Sequence, residues 1–497
     1  MKPYITLLAS LVFFSQALWG QTVVNVSPGN GTLNDAIQNY IDNNGSVDQS
    51  VVFELEDGGV YVLSATIDFD YDLNIQAAAN AAVRPVILPI PATGGETFRP
   101  FRIRENIILR GLYITTEDAL GGQSDQIIRI SNDGAQVIID NCHLDKATQS
   151  AIRIDNADNK IYVTNSVFSN VWNLPNPSNG RAFDDRGQDI DTLWVENSTF
   201  YNFSARLLRD DGGVINWLRW NNTTCLNSGD RTLDIGEGLK VEVRNNIFIN
   251  TAFLGDDEPG SSSFQLDSSS SPQEVLISHN NFANDPFLQD AYDALNVGAS
   301  VGDSVFARGF LNSTATAFVD AGGNSTTIYN ELVNFVDGPA TPIDYINSFY
   351  DDPANALPLD DGDGGVGPGI EQLPFDFCYE SNAILDEGGV DGGRMGDLNW
   401  TSCVTSTQEL DAGSINWSLF PNPFQQEVNL EFELDAPASA NFQIINALGQ
   451  VIYSRNERAV EGVNRYRFNL RQSPTGYYFL RVTLDDRFLT RPLMKQN

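Results

Sequence analysis

A short motif recurs between residues 107 and 282 of this 497-residue chain: alternating apolar residues, an anchor that is usually asparagine, and an apolar residue three positions later. It reads VIIDNCHLDK from Val137, IYVTNSVFSN from Ile161 and VEVRNNIFIN from Val241. The seven anchors, 23 to 34 residues apart, are Gly111, Asn141, Asn165, Asn197, Asn222, Asn245 and His279. Such self-similarity predicts a repeat architecture in which each unit buries its apolar face against its neighbours.

The alternation around each anchor predicts strands with one buried face. A unit of about 24 residues is too short for a propeller blade and lacks the leucine-rich consensus of a horseshoe. It fits one coil of a parallel β-helix, where each coil contributes three short strands and coils stack about 4.8 Å apart. We therefore expect internal apolar columns and a ladder of Asn amides at a tight turn. The alternative is a sandwich whose strands are similar by coincidence.

The stacking geometry also separates the four cysteines. Cys142 and Cys225 lie three coils apart, or about 14 Å, whereas a disulfide spans Cα atoms within about 7 Å. We expect both to be buried free thiols. Cys378 and Cys403 flank a Gly/Asp-rich stretch and could form a disulfide, since disulfides form in proteins exported from the cytoplasm.

The first residues have the pattern of a secretory signal: Lys2, an apolar run over residues 5–14, and small and polar residues before Gln21. Residues 1–20 are therefore predicted to be removed. No later run approaches the roughly 20 apolar residues of a spanning helix, so we expect an exported protein without a membrane-spanning segment. The formal net charge of -36 argues against nucleic acid and anionic membranes as partners.

The run GTLNDAIQNYIDNN, followed by VVFELEDGGVYVLSATI, resembles the N-terminal part of pectate-lyase-like right-handed β-helices. In that family a short amphipathic helix plugs the open end, and Leu33, Ile37 and Ile41 have the matching spacing. The segment SNAILDEGGVDGGRMGDLNW is similar to the close of a secreted β-helix family of Bacteroidota. We expect an all-β chain, with a right-handed parallel β-helix over residues 21–290 and an irregular extension over 291–404 that closes it.

A linker at residues 405–415 leads into a last segment, 416–497, in which alternating strands at Val428–Leu434, Asn441–Ile445 and Tyr477–Thr483 predict a small β-sandwich. Its PNP opening, LGQ turn, GYYFLRV strand and basic last residues resemble the C-terminal sorting domain of the type IX secretion system. The resemblance implies that the type IX machinery is a partner. It also implies export through the periplasm and across the outer membrane, followed by release or surface attachment. A carbohydrate-binding sandwich is the alternative.

A further strand precedes the motif in each coil, as in PFRIR, QIIRIS and SAIRID. With apolar residues inward, its outward column reads Arg102, Arg129, Arg153, Asp185, Arg209, Asp234 and Gln265. Guanidinium groups about 4.8 Å apart repel unless anions intervene. The chain itself could supply those anions in an ion-pair ladder, from Asp155, Asp184, Asp210 and Asp211. They could equally be carboxylates or sulfates of an extended polysaccharide, which arginine binds bidentately.

The middle coils, FDDRGQDID and RLLRDDGG, depart most from the repeat, and such departures are where function is expected. Trp172, in the long segment NVWNLPNPSNG, is a candidate for sugar stacking. The full set of substrate-binding candidates is Arg102, Arg129, Arg153, Trp172, Arg186 and Gln265.

Three functions compete for this face. A lyase would cleave an anionic polysaccharide by β-elimination, with a base removing the proton beside a uronate carboxylate that Arg or Ca²⁺ neutralises. The family resemblance implies an Arg or Lys base on this strand, here Arg206, Arg209 or Arg231, although no paired Lys–Arg signature is present. The possible Ca²⁺ ligands are Asp184, Asp185, Asp210, Asp211 and Asp234. A glycoside hydrolase using paired Asp and a non-catalytic adhesin or glycan-binding protein are the alternatives.

Overall fold

The structure is a computed structural model, in which the chain divides into two compact units, Met1–Thr401 and Ser402–Asn497. The residues that it describes are 21–91, 97–174, 176–267, 274–300, 303–321, 327–362, 368–369, 371, 373–379, 382–400, 417–434, 438–446, 451–460, 462–471, 473–484 and 487–496. The predicted signal peptide and the predicted linker at 405–415 lie outside them.

The first unit is a parallel β-helix whose coils contribute strands to three ladders, called here sheets 1, 2 and 3. The described strands of sheet 1 are Ile67–Phe69, Phe101–Ile103, Gln126–Ile130, Ser150–Ile154, Arg181–Asp184, Leu208–Arg209, Leu233–Ile235, Ser262–Leu266 and Gly309–Leu311. Those of sheet 2 alone are Thr22–Val26, Val51–Leu55, Leu73–Ala77, Ile107–Arg110, Gln136–Asp140, Asn159–Thr164, Glu237–Arg244 and Glu274–Ser278. Those of sheet 3 alone are Gly29–Asn30, Val60–Leu63, Val86–Pro89, Tyr113–Thr115, His143–Ala147, Val167–Val171, Ile247–Thr251, Asn280–Ala283 and Ile328–Tyr329. Two long strands, Ile190–Phe203 and Val214–Ser228, belong to both sheets 2 and 3.

The recurring anchor is the turn between sheets 2 and 3. All seven anchors have positive φ, from 47° at Asn197 to 67° at Gly111. Glycine adopts this left-handed conformation without steric cost, and asparagine tolerates it better than most residues. Each motif therefore forms a strand, a turn at one left-handed residue, and a second strand. This confirms the predicted repeat.

A second series of left-handed residues lies five positions after the anchors. Its members are Lys146, Asn170, Asn202, Asn227 and Asn250, with φ between 52° and 61°. Here the amides form a continuous ladder: Asn202 donates to Asn170 Oδ1 at 3.1 Å, Asn227 to Asn202 and Asn250 to Asn227, both at 3.3 Å. The Asn ladder was expected at the anchors, whereas the continuous ladder lies at this second corner. At the anchor corner a single Asn–Asn link, from Asn245 to Asn222, occurs among the described residues.

The interior is filled by the apolar columns that the alternation predicts. Phe168, Phe200 and Trp220 stack with ring centroids 5.1 and 5.0 Å apart. Cys142 and Cys225 are buried free thiols, as predicted, and burial raises both thiol pKa values to about 12. The amphipathic helix Thr32–Asn44 buries Leu33, Ile37 and Ile41 against this core.

The segment that follows the coils is built from short elements. Its described helices are Pro286–Leu295, Ser313–Ala321, Ile343–Asp351 and Ala383–Glu387, with 3₁₀ turns at Pro353–Asn355, Val390–Gly392 and Leu398–Trp400 and an antiparallel strand pair, Phe335–Asp337 and Asp376–Tyr379. Ala315 and Val319 join the main core. Phe377 and Met395 pack on Tyr201 and Leu226 of sheet 3, so this segment covers the outer face of that sheet. Cys378 is disulfide-bonded, and its proposed partner, Cys403, lies outside the described residues.

The second unit has two antiparallel sheets. The described strands are Trp417–Phe420, Glu427–Leu434 and Gly462–Asn469 in one, and Ala438–Asn446, Val451–Ala459, Gly476–Leu484 and Arg487–Lys495 in the other. Val428, Phe442 and Leu480 lie in their shared core. The predicted all-β fold, a parallel β-helix followed by a small sandwich, is confirmed.

Candidate functional site

The outward column of sheet 1 lines up the predicted arginines. By strand register it reads Asp68, Arg102, Arg129, Arg153, Asp184, Arg209, Asp234 and Gln265. The prediction was wrong at one coil, where Asp184 and not Asp185 continues the column. In FDDRG two aspartates are adjacent, so polarity alone could not show which one faces outward.

Asp185 instead lies at the inward position that Ile154 and Ile235 occupy in other coils. It is fully buried, and Asp210, its counterpart in the next coil, is almost fully buried. Burial, followed by the hydrogen bond and charge of Asp210, raises the pKa of Asp185 to about 8. Among the described residues Asp185 Oδ2 has no N–H or hydroxyl donor, and a protonated Asp185 carboxyl, unlike an ionised one, can donate to the Asp210 carboxyl.

A second column of side chains, three residues before the first, was missed in part by the sequence reasoning. It reads Arg99, Gln126, Ser150, Arg181, Arg206, Arg231 and Ser262. Gln126, Ser150, Arg181 and Ser262 are buried, whereas Arg99, Arg206 and Arg231 are partly exposed. Arg206 and Arg231 were picked out only as possible bases, and Arg99 and Arg181 were not picked out. Strict alternation places a residue three positions before an outward one on the inner face, so the alternation argument could not identify them.

At the N-terminal end of this face, guanidinium groups outnumber the carboxylates that pair with them. Asp155 alone serves both Arg129 and Arg153, with Arg153 Nε at 2.7 Å. Burial would raise the pKa of Asp155, but the hydrogen bonds and charges of these two arginines outweigh it and lower the pKa. Arg102 donates to Ser131 Oγ at 3.2 Å, and its Nη1 lies 3.7 Å from Asp68. The side chains of Arg102, Arg129 and Arg153 are 34%, 30% and 22% exposed.

The pKa of Arg99 is affected by the charges of this cluster. Its Nε donates to the neutral Gln126 Oε1 at 3.0 Å. Burial lowers the pKa of Arg99, and the charges of Arg129, Arg102 and Arg153 lower it further against the opposing effect of Asp125. Three positive neighbours acting on a fourth mark a local positive potential in a chain of net charge -36.

The C-terminal half of the face is an ion-pair network. Arg209 lies between Asp184 at 3.2 Å and Asp211 at 2.8 Å. Arg206 pairs with Asp230 at 2.6 Å and with Asp234. Arg231 also pairs with Asp234, and Arg181 with Asp184. The three candidate bases, Arg206, Arg209 and Arg231, are thus each held by carboxylates of the chain itself.

The five candidate Ca²⁺ ligands have partners within the chain. Asp184, Asp211 and Asp234 accept from arginines. Asp185 Oδ1 accepts from the backbone N–H groups of Gly187 at 3.0 Å and Asp211 at 2.7 Å. Asp210 accepts from Gly212 and Gly236 at 2.9 and 2.7 Å. In the part of the chain that the structure describes, no three acidic, histidine or cysteine side chains are grouped as metal ligands.

The remaining candidates are dispersed. Trp172 packs, partly buried, against the apolar cluster that contains Phe253 and Tyr345. Arg186 is exposed in the turn after Arg181–Asp184, with φ of 55°. Gln265 is partly buried at the far end of the outward column.

Comparison with known proteins adds information on export. No curated protein matches the chain. Within the described residues, no helix is long and apolar enough to cross a membrane. Residues 418–496 match the family described as secretion system C-terminal sorting domain. The protein therefore carries a type IX sorting domain, through which it is exported to the cell surface or beyond it.

Proposed function

We propose that the β-helix unit binds an extended anionic polysaccharide outside the cell, along the N-terminal part of sheet 1. The observation that supports this is the cluster of Arg99, Arg102, Arg129 and Arg153, in which Asp155 alone pairs with both Arg129 and Arg153. The pKa of Arg99 is lowered first by burial and then by repulsion from the other three guanidinium groups. A polyanion would relieve that repulsion.

The arrangement suits a repeating ligand. Arg102, Arg129 and Arg153 stand one per coil in one column, about 4.8 Å apart. The described hydrogen bonds and ion pairs of Arg129 use its Nε, so its Nη donors are left for a carboxylate or sulfate. Each such exposed pair contributes at most about 1 kcal/mol, so useful affinity requires several coils to bind at once.

Binding without cleavage is better supported than β-elimination. An arginine base must accept the substrate proton, yet Arg206, Arg209 and Arg231 are each held by one or two carboxylates. Neutralising the substrate carboxylate through Ca²⁺ would require ligands such as Asp184 and Asp211 to leave their arginines.

The test is affinity electrophoresis of the mature protein in alginate, pectate and chondroitin sulfate, with and without Ca²⁺. We expect retardation that weakens as salt rises. The double variant Arg102→Gln/Arg129→Gln should reduce it, whereas Arg467→Gln, at a 68% exposed position in the second unit, should not. Equal retardation of the double variant, or none for the wild type, would refute the proposal. Release of unsaturated products, seen by ultraviolet absorbance, would establish the lyase.

A further inference from the structure

A second, chemically different surface lies on the outer face of sheet 2. Outward positions in three successive coils are occupied by Tyr162, Trp194 and Trp217, on the strands Asn159–Thr164, Ile190–Phe203 and Val214–Ser228. All three are partly exposed. The rings of Trp194 and Trp217 lie with centroids 5.1 Å apart and planes at 73°. We call these three residues the tryptophan platform.

The platform is not part of the core. Leu193, Leu218 and Trp220, at the alternate positions of the same strands, fill the interior and are fully buried. Within the described part of the chain, the ring and cation contacts of Trp194 and Trp217 come from the same sheet face. Tyrosine and tryptophan are enriched at binding interfaces, where one end of the side chain is apolar and the other is in contact with water.

One ring of the platform is fixed by its surroundings. Trp194 Nε1 donates to Glu196 Oε2 at 2.9 Å, and the Arg219 guanidinium lies 4.5 Å from the ring centroid. Arg219 is held by Glu196 at 2.9 Å and Glu242 at 2.6 Å. Trp194 is therefore a rigid wall beside Trp217.

A displaceable group lies over the other ring, that of Trp217, whose Nε1 is buried. Lys240 Nζ lies 4.9 Å from the Trp217 centroid, on a side chain that is 40% exposed, and pairs with Glu274 at 3.4 Å. An exposed cation–π contact contributes about 0.5–1 kcal/mol and an exposed ion pair about 0–1 kcal/mol. A ligand that stacks on Trp217 can therefore replace Lys240 at small cost.

The local charges select the class of ligand. Arg219 and Lys240 are matched by Glu196, Glu242 and Glu274, so this face lacks the guanidinium excess of sheet 1. A polyanion gains little here. The C–H face of a sugar ring carries partial positive charge and complements the negative face of an indole.

We propose that the tryptophan platform binds a neutral polysaccharide, with one sugar ring stacked on Trp217 beside the wall of Trp194 after Lys240 has moved aside. Glu274, released from Lys240, accepts hydrogen bonds from sugar hydroxyl groups. This site is independent of the arginine face and requires no charge on the glycan.

The test is affinity electrophoresis of the full mature chain in mixed-linkage β-glucan, xylan and galactomannan, followed by tryptophan fluorescence titration with the polymer that retards it most. We expect Trp217→Ala to raise the Kd by about tenfold or more, Trp217→Phe to retain most of the affinity, and Lys240→Ala to bind at least as tightly as wild type. Unchanged thermal unfolding of each variant shows that the fold is intact.

Two controls separate this site from the arginine face. Arg102→Gln/Arg129→Gln should leave neutral-glycan binding unchanged, and Trp217→Ala should leave binding to anionic polymers unchanged. Wild-type protein that is retarded by no neutral polymer would overturn the proposal, as would equal binding by Trp217→Ala or a loss of binding in Lys240→Ala.

Discussion

Replacing Asp185 by asparagine should stabilise the β-helix by an amount that grows with pH. The carboxyl of Asp185 is fully buried at a position that isoleucine fills in other coils, and it faces the Asp210 carboxyl. Its pKa is about 8 in the folded chain, compared with an ordinary value of 3.8. Between these values the unfolded chain has released a proton that the folded chain retains. Folding stability therefore falls as pH rises through this window.

The magnitude follows from the two pKa values. One retained proton changes the free energy of unfolding by about 1.4 kcal/mol per pH unit. The stabilising contribution of the Asp185 proton to the free energy of unfolding is complete below pH 3.8, declines up to about pH 8, and is lost above that. Asparagine keeps the shape, accepts the same backbone N–H bonds and donates its amide to Asp210, but has no proton to lose. The variant should therefore gain about 3 kcal/mol over the wild type between about pH 5 and 7.

The assay is differential scanning calorimetry of the mature chain at several pH values, with EDTA present so that no divalent cation occupies these carboxylates. For a unit of roughly 400 residues the entropy of unfolding is about 0.8 kcal/mol/K. The difference in Tm between Asp185→Asn and wild type should thus widen by about 4 °C from pH 5 to 7. Asp70→Asn, at an 81% exposed side chain, should follow the wild type throughout. A constant difference between Asp185→Asn and wild type would refute the proton retained by Asp185.

Three further predictions concern other parts of the first unit. Asn202→Ala should lower the free energy of unfolding, measured by denaturant unfolding, by about 1–3 kcal/mol. The substitution removes a hydrogen bond of the amide ladder and places alanine at a φ of 61°. Asn202→Gly should lower the free energy of unfolding less, because glycine adopts this φ without strain. Asp155→Asn should destabilise the unit at pH 7 but not at a pH low enough to protonate the wild-type carboxyl, since the folded pKa of Asp155 is lowered. The variant should also bind alginate more tightly, because Arg129 and Arg153 lose their carboxylate partner. Unchanged binding would favour a purely structural ion-pair ladder. Cys142 and Cys225 should react with a thiol reagent only after denaturation, and labelling of the native protein would contradict their burial.

The coil architecture could be predicted because its determinants are local. Alternation with a period of two sets which side chains enter the interior, and a single left-handed residue sets the corner. Asn165, Asn197 and Asn245 mark that corner in the sequence and adopt it in the structure. The sorting domain was recognisable for a similar reason, since its motifs lie within about 80 contiguous residues.

The candidate site could be predicted only in outline. Arg102, Arg129 and Arg153 were placed correctly because their coils keep the apolar alternation. Asp184 and Asp185 were exchanged because FDDRG offers no apolar contrast at the end of its strand. The tryptophan platform was not considered, although Trp194 and Trp217 stand at outward positions that the repeat itself defines.

By itself, the sequence determined the stacked coils, the inward columns and the route of export, because each depends on residues a few positions apart. Only the tertiary structure decided how charge is distributed over the outer faces. Asp155 meets Arg129, and Arg206 meets Asp230 and Asp234, across 24 to 28 residues of chain. Those pairings depend on the stacking register and on the reach of side chains between coils. They divide sheet 1 into a half in which carboxylates neutralise the arginines and a half in which arginines outnumber their carboxylate partners.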